Sequence, residues 1–172
     1  MILALYLVIL LWGLSYCFLG RPGREGYLER WVLFLVVLAY FVVTRFSPPQ
    51  VDFNTYTNTL RLPVSAMMLK SYFYKEWAYW VVASGLYSVT KSAPVTFLLF
   101  DFYSLWAIFR ARRNLGLPLY FCAIALLIFT SVFGVHNVYR QYLASCTLLL
   151  ALSYERGARR WGFFVLAGFF HN

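Results

Sequence analysis

Long apolar runs, separated by short gaps crowded with arginine, constrain this chain more than any other feature. A helix rises about 1.5 Å per residue, so crossing a hydrocarbon core about 30 Å thick takes about 17–25 apolar residues. Runs at 2–19, 28–46, 93–109, 117–134 and 138–154 meet or approach that length, and a sixth begins at Trp161. Hydrophobic residues make up 62% of the chain and charged ones 12%, which excludes an ordinary soluble domain. The first run lacks the basic start and cleavage signal of a secretory leader, and its arginines (Arg21, Arg24, Arg30) follow it, so it reads as a retained span. The expected fold is an all-α polytopic integral membrane protein with about six transmembrane helices. A single transmembrane domain covers 1–172. The last run is still apolar at the closing "FFHN", from which we expect a fragment truncated at its C-terminus.

Charge sets the topology. Arg21/Arg24/Arg30, Arg110/Arg112/Arg113 and Arg156/Arg159/Arg160 fall in three gaps, all cytoplasmic by the positive-inside rule. An even number of crossings then separates each pair of gaps. This holds if "AYWVVASGLYSVT", 78–90, is a short re-entrant or interfacial helix; the alternative is seven spanning helices. Residues 47–92 become an extracytoplasmic loop with interfacial helices, on the same side as the turn 135–139. In that loop Pro48 and Pro49 stop the preceding helix, and Asp52 is placed to cap a short one, four residues before Tyr56 on the same face. Val64, Met67, Met68 and Tyr72 follow at the spacing of a helix lying in the interface. The net charge of +9 belongs to topology and anionic lipid, and no nucleic-acid motif accompanies it. Cys17, Cys122 and Cys146 sit inside apolar runs without a CxxC pair, which reads as helix packing; no metal and no cofactor is expected.

Arg140 opens an apolar run in "VHNVYRQYLAS". Two readings stand. A snorkelling arginine or salt-bridge partner is one. An anion clamp is the other: a guanidinium matches phosphate oxygens bidentately, and the N-terminal end of a helix adds free N–H groups. Gln141 would add hydrogen bonds, and His136 a proton donor or acceptor. Asp101, deep in "LLFDFYSLW", is expensive to bury charged and is treated as structural, either protonated, bonded to a neighbouring helix or lining a polar cavity.

"RQYLAS", an apolar helix, the basic turn "ERGARR", another apolar run and then "FFH" resemble the EpsG/Wzy-type polysaccharide polymerases. Asp52 and Tyr56 resemble that family's aspartate–x3–tyrosine pattern. Glu76 before Trp77 and Tyr79 resembles its glutamate–proline–x–aromatic segment, with Trp77 standing where proline is usual. The resemblance runs from about Asp52 to His171 and rests on the order of short motifs between helices.

It implies a glycosyltransferase of the bacterial inner membrane, multi-pass, joining oligosaccharide repeat units carried on polyprenyl diphosphate at the outer face. Arg140 would then stabilise the departing diphosphate without a metal. Asp52 and Glu76 are the candidates for the base, and His171 would approach Arg140. Arg140, Gln141, Tyr56 and His136 would bind substrate. A helix-capping role for Asp52, and pairing of Glu76 with Lys75 or Lys91, are the structural alternatives. Partners would be the lipid-linked glycan, membrane lipid and other polysaccharide-assembly proteins, with no nucleic acid. A flippase for the same lipid-linked sugars, and a fragment inactive by itself, are the competing readings.

Overall fold

The computed structural model describes residues 2–19, 26–47, 51–68, 76–130 and 139–171. Every regular element among them is a helix: α1 (Ile2–Leu19), α2 (Tyr27–Phe46), α3 (Val51–Leu60), α4 (Val64–Met68), α5 (Trp77–Thr90), α6 (Ala93–Leu115), α7 (Tyr120–Thr130), α8 (Tyr139–Leu152) and α9 (Ala158–Phe170). All-helical architecture is therefore what the apolar runs produce. Of the expected spans, α6 is the one helix among the described residues long and apolar enough to cross a membrane by length and composition. Its 23 residues would cover about 34 Å.

Local chemistry explains the boundaries. The Gly26 N–H donates to Glu29 Oε2 at 3.0 Å, holding the first turn of α2. Pro94 sits in the first turn of α6, where a missing N–H costs nothing. The sequence reading ends that helix at 109, but it runs on to Leu115. Arg112 and Arg113 in its last turn suit the negative end of the helix dipole, and Gly116, left-handed at φ 64°, closes it by donating to the Arg112 and Arg113 carbonyls. α9 likewise starts at Ala158, three residues before Trp161. Two other expectations are corrected. Asp52 is the second residue of α3, inside the first turn and not before it, because Val51 is already helical. Met67 turns into the core instead of towards an interface: it is fully buried, and Ser84 Oγ lies 3.4 Å from its sulfur.

α6 is the hub, packed on α2, α5, α7 and α8, while α8 and α9 form a tight hairpin and α1 lies against α2 and α7. At the α1–α7 contact a Cβ on Gly13 would stand 3.1 Å from that of Ala123, so a larger residue there would push the helices apart by a few tenths of an ångström. Cys122 and Cys146 are buried and free, within the packed faces. Outward faces carry large apolar side chains, among them Leu11, Leu35, Trp106 and Trp161. Such a surface suits hydrocarbon better than water.

The two ends of the bundle differ. At one end Asn114 Nδ2 donates to Ser153 Oγ at 3.0 Å, tying the C-terminus of α6 to that of α8 beside Arg112, Arg113 and Arg156. The ends of α2 and α9 and the starts of α5 and α8 meet at the other.

Candidate functional site

Glu76 immediately precedes α5 and is almost fully buried. A carboxylate there gains from the positive end of the α5 dipole, but alone it would be expensive to bury. Two groups compensate it. The Arg140 guanidinium, on the second residue of α8, pairs through Nη1 with Glu76 Oε2. His171, directly after α9, lies with Nδ1 2.8 Å from Glu76 Oε1. The Gln141 side-chain nitrogen then sits 3.0 Å from His171 Nε2. An amide nitrogen only donates, so Nε2 accepts, which makes the ring the neutral Nδ1–H tautomer donating to Glu76. Burial and the Arg140 charge both hold the His171 imidazole below the usual histidine range. Glu76, already matched by Arg140, does not reverse this. Aromatic faces complete the cluster: the Arg140 guanidinium carbon lies 5.4 Å from the Tyr56 ring centre and 5.8 Å from that of Trp80.

Glu76, Arg140, Gln141, His171 and Tyr56 thus converge from four helices, although up to 115 residues separate them in sequence. Arg140 keeps 22% of its side chain exposed and His171 36%, against 5% for Glu76. Arg140 and the neutral His171 are therefore the reachable part of the site. Glu76 pairs with neither lysine of the sequence reading as far as the described residues show. Lys91 caps the far end of α5, about 22 Å away along the helix, and Lys75 lies outside the described residues. The backbone of Asp52 is one turn before Tyr56 on α3; its side chain lies outside the described residues, as does all of His136.

A second charged cluster, one residue away, is missing from the sequence reading. Asp101 on α6 is fully buried and accepts two hydrogen bonds from Arg45 in the last turn of α2, at 2.6 Å from Nε and 2.7 Å from Nη2. The Tyr139 hydroxyl shares its one proton between Asp101 Oδ1 at 2.8 Å and the Phe97 carbonyl at 3.0 Å. The Arg45 guanidinium also lies over the Tyr139 ring, 4.5 Å from its centre. So Asp101 is bonded to neighbouring helices, one of the alternatives its depth allowed. The available signal was one acid and one arginine, each alone inside an apolar run.

A family model for the EpsG family matches residues 30–172, most of the chain. The chain belongs to the EpsG family. This is a polysaccharide polymerase-like family of membrane proteins. No curated protein and no solved structure matches the chain. The matched region contains every residue of both clusters, and the charged helix ends described above lie within an EpsG sequence.

Proposed function

We propose that this EpsG protein is a multi-pass glycosyltransferase of the bacterial inner membrane. It would polymerise polyprenyl-diphosphate-linked oligosaccharide repeat units into exopolysaccharide or O-antigen at the outer face. The observation that carries this reading is the half-exposed Arg140–His171–Gln141 edge backed by buried Glu76. In the reaction the bond between the sugar's anomeric carbon and the diphosphate oxygen breaks, and a bond to the acceptor hydroxyl oxygen forms. Negative charge grows on the departing diphosphate, where a guanidinium at the start of a helix meets it with bidentate hydrogen bonds. Gln141 adds a donor. The acceptor proton needs a base, and Glu76 is the first candidate, buried until Arg140 turns to the diphosphate. Arg140 neutralises Glu76 before substrate arrives. An incoming diphosphate competes for the same guanidinium and leaves the carboxylate with one partner fewer, ready to take a proton. Asp52 is the second candidate base, one turn from Tyr56 on α3. Tyr56 and Trp80 hold the guanidinium in place from behind and offer flat faces.

A carrier for the same lipid-linked sugars would need charged or polar groups at several depths. Asp101, the deep acid of α6, is already taken up by Arg45 and Tyr139, which favours the polymerase. Substitution separates the readings. Arg140→Ala should lower polymer about 100-fold or more, with lipid-linked single repeat units accumulating in the outer leaflet. Accumulation in the inner leaflet would support the carrier, and unchanged polymer would remove Arg140 from the mechanism.

A further inference from the structure

Below the charged cluster, a groove of about 490 Å³ runs between α8 and α9. Its mouth is formed by Gln141 and His171, two members of the cluster itself. Small residues form its middle (Ala144 and Ser145 on α8, Ala167 and Gly168 on α9), and Leu148 and Phe164 its far end. Polarity therefore falls steadily along the groove, away from the cation. A second apolar hollow of about 430 Å³ shares Ser145 and Leu148 and extends along α8 to Leu152, against Phe121 and Ile124. Together the two trace a path of about 16 Å along α8 from Gln141. A Cβ added at Gly168 would meet nothing within 4 Å, so no packing demand accounts for the missing side chain.

We propose that this groove seats the first part of the hydrocarbon chain of an anionic lipid whose head group lies at Arg140. The inference rests on the reading of Arg140 as a diphosphate clamp and adds where the chain goes. Two features select a lipid chain as occupant. The groove is continuous with a cationic head-group site, as an amphiphile requires, and its far end is hydrocarbon, Phe164 and the exposed Leu148. Binding energy for the chain then scales with the apolar area it covers.

The test uses the whole protein in detergent or nanodiscs, with three probes: a long polyprenyl diphosphate, a short one and inorganic pyrophosphate. Gly168→Leu and Ser145→Leu fill the groove from its two walls. Each should weaken the long-chain probe about ten-fold or more, through lost apolar contact, while inorganic pyrophosphate changes less than about two-fold. A long-chain probe carrying a photoreactive group near its head should label α8 or α9 at Leu148 or Phe164. Equal losses for all three probes, no loss for any, or labelling confined to other helices would overturn the groove assignment. If a helix of a partner protein fills the groove instead, the photoprobe will not label it, and the assignment fails. If the unaltered protein binds neither pyrophosphate nor either lipid, the diphosphate reading itself falls, and the groove assignment with it.

Discussion

His171 donates from Nδ1 and accepts at Nε2, and only a neutral ring can do both. Protonation would turn Nε2 into a donor, so the Gln141 amide would have to turn its oxygen towards it, and would add a second cation beside Arg140. Because burial and Arg140 depress the affinity of His171 for a proton, the neutral ring is kept at neutral pH. The folded pKa lies below the unfolded one, so the stabilising contribution is complete above the ordinary histidine value. It is lost as pH falls through the depressed value. Activity on lipid-linked repeat units should therefore decline on the acid side with a midpoint below the ordinary histidine range. His171→Asn, whose amide can replace the Nδ1–H donor without titrating, should flatten that limb; a limb identical in both proteins would exclude His171 as its source. At this scale the sequence was informative about residue types and poor on pairings. Arg140, Gln141 and His171 stood out by their motif context. The true partners of Glu76 did not, since Arg140 and His171 lie 64 and 95 residues away, and only the bundle brings them together.

The first turn of α8 faces two ways. Tyr139 points into the Arg45–Asp101 pair, and Arg140, the next residue, points into the Glu76 site. A buried, bidentate ion pair between α2 and α6 thus fixes the element that carries Arg140. Breaking one side of such a pair leaves a buried charge uncompensated, at a cost of about 3–5 kcal/mol. Asp101→Asn or Arg45→Met should accordingly lower the unfolding midpoint sharply in detergent, and the double replacement Arg45→Met with Asp101→Leu should recover much of the loss. A double variant as unstable as the sum of the singles would show the two residues act independently. Tyr139→Phe, which keeps the ring over Arg45 and removes only the hydroxyl, should cost about 1 kcal/mol. The long helices were legible because each is an apolar run between recognisable stops, such as Gly116 after α6. Their ends were less so: Arg110, Arg112 and Arg113 read as a gap, yet basic residues in a last turn favour the helix dipole, and the chain stays helical through them.

Across the whole molecule the charges are segregated by end. The exposed arginine-rich turns gather where α6 ends, α8 ends and α9 begins, joined by the Asn114–Ser153 bond. At the opposite end Arg45 and Arg140 are held in ion pairs with acids, while Arg61 after α3 stands exposed. Short turns crowded with arginine are favoured on the cytoplasmic side, which assigns that side to the arginine-rich end. Helix direction agrees with this division: α8 runs from the paired end to the arginine end, and α9 returns, which is why His171 reaches Glu76 although Arg159 and Arg160 lie in the first turn of the same helix. Antiparallel packing of two adjacent apolar runs, not any motif, thus delivers His171 to the site. Single cysteines at exposed positions test the orientation. Asn58→Cys on α3 should react with an impermeant thiol reagent added to intact cells, while Arg113→Cys and Arg159→Cys should react only after the membrane is opened. Reaction of all three from outside would place both charged ends on one side, which no pair of membrane-crossing helices joined as α8 and α9 are could satisfy. Protection of Asn58→Cys with reaction at Arg159→Cys would invert the molecule and put Arg140 at the inner leaflet, where a polymerase working on exported repeat units has no substrate.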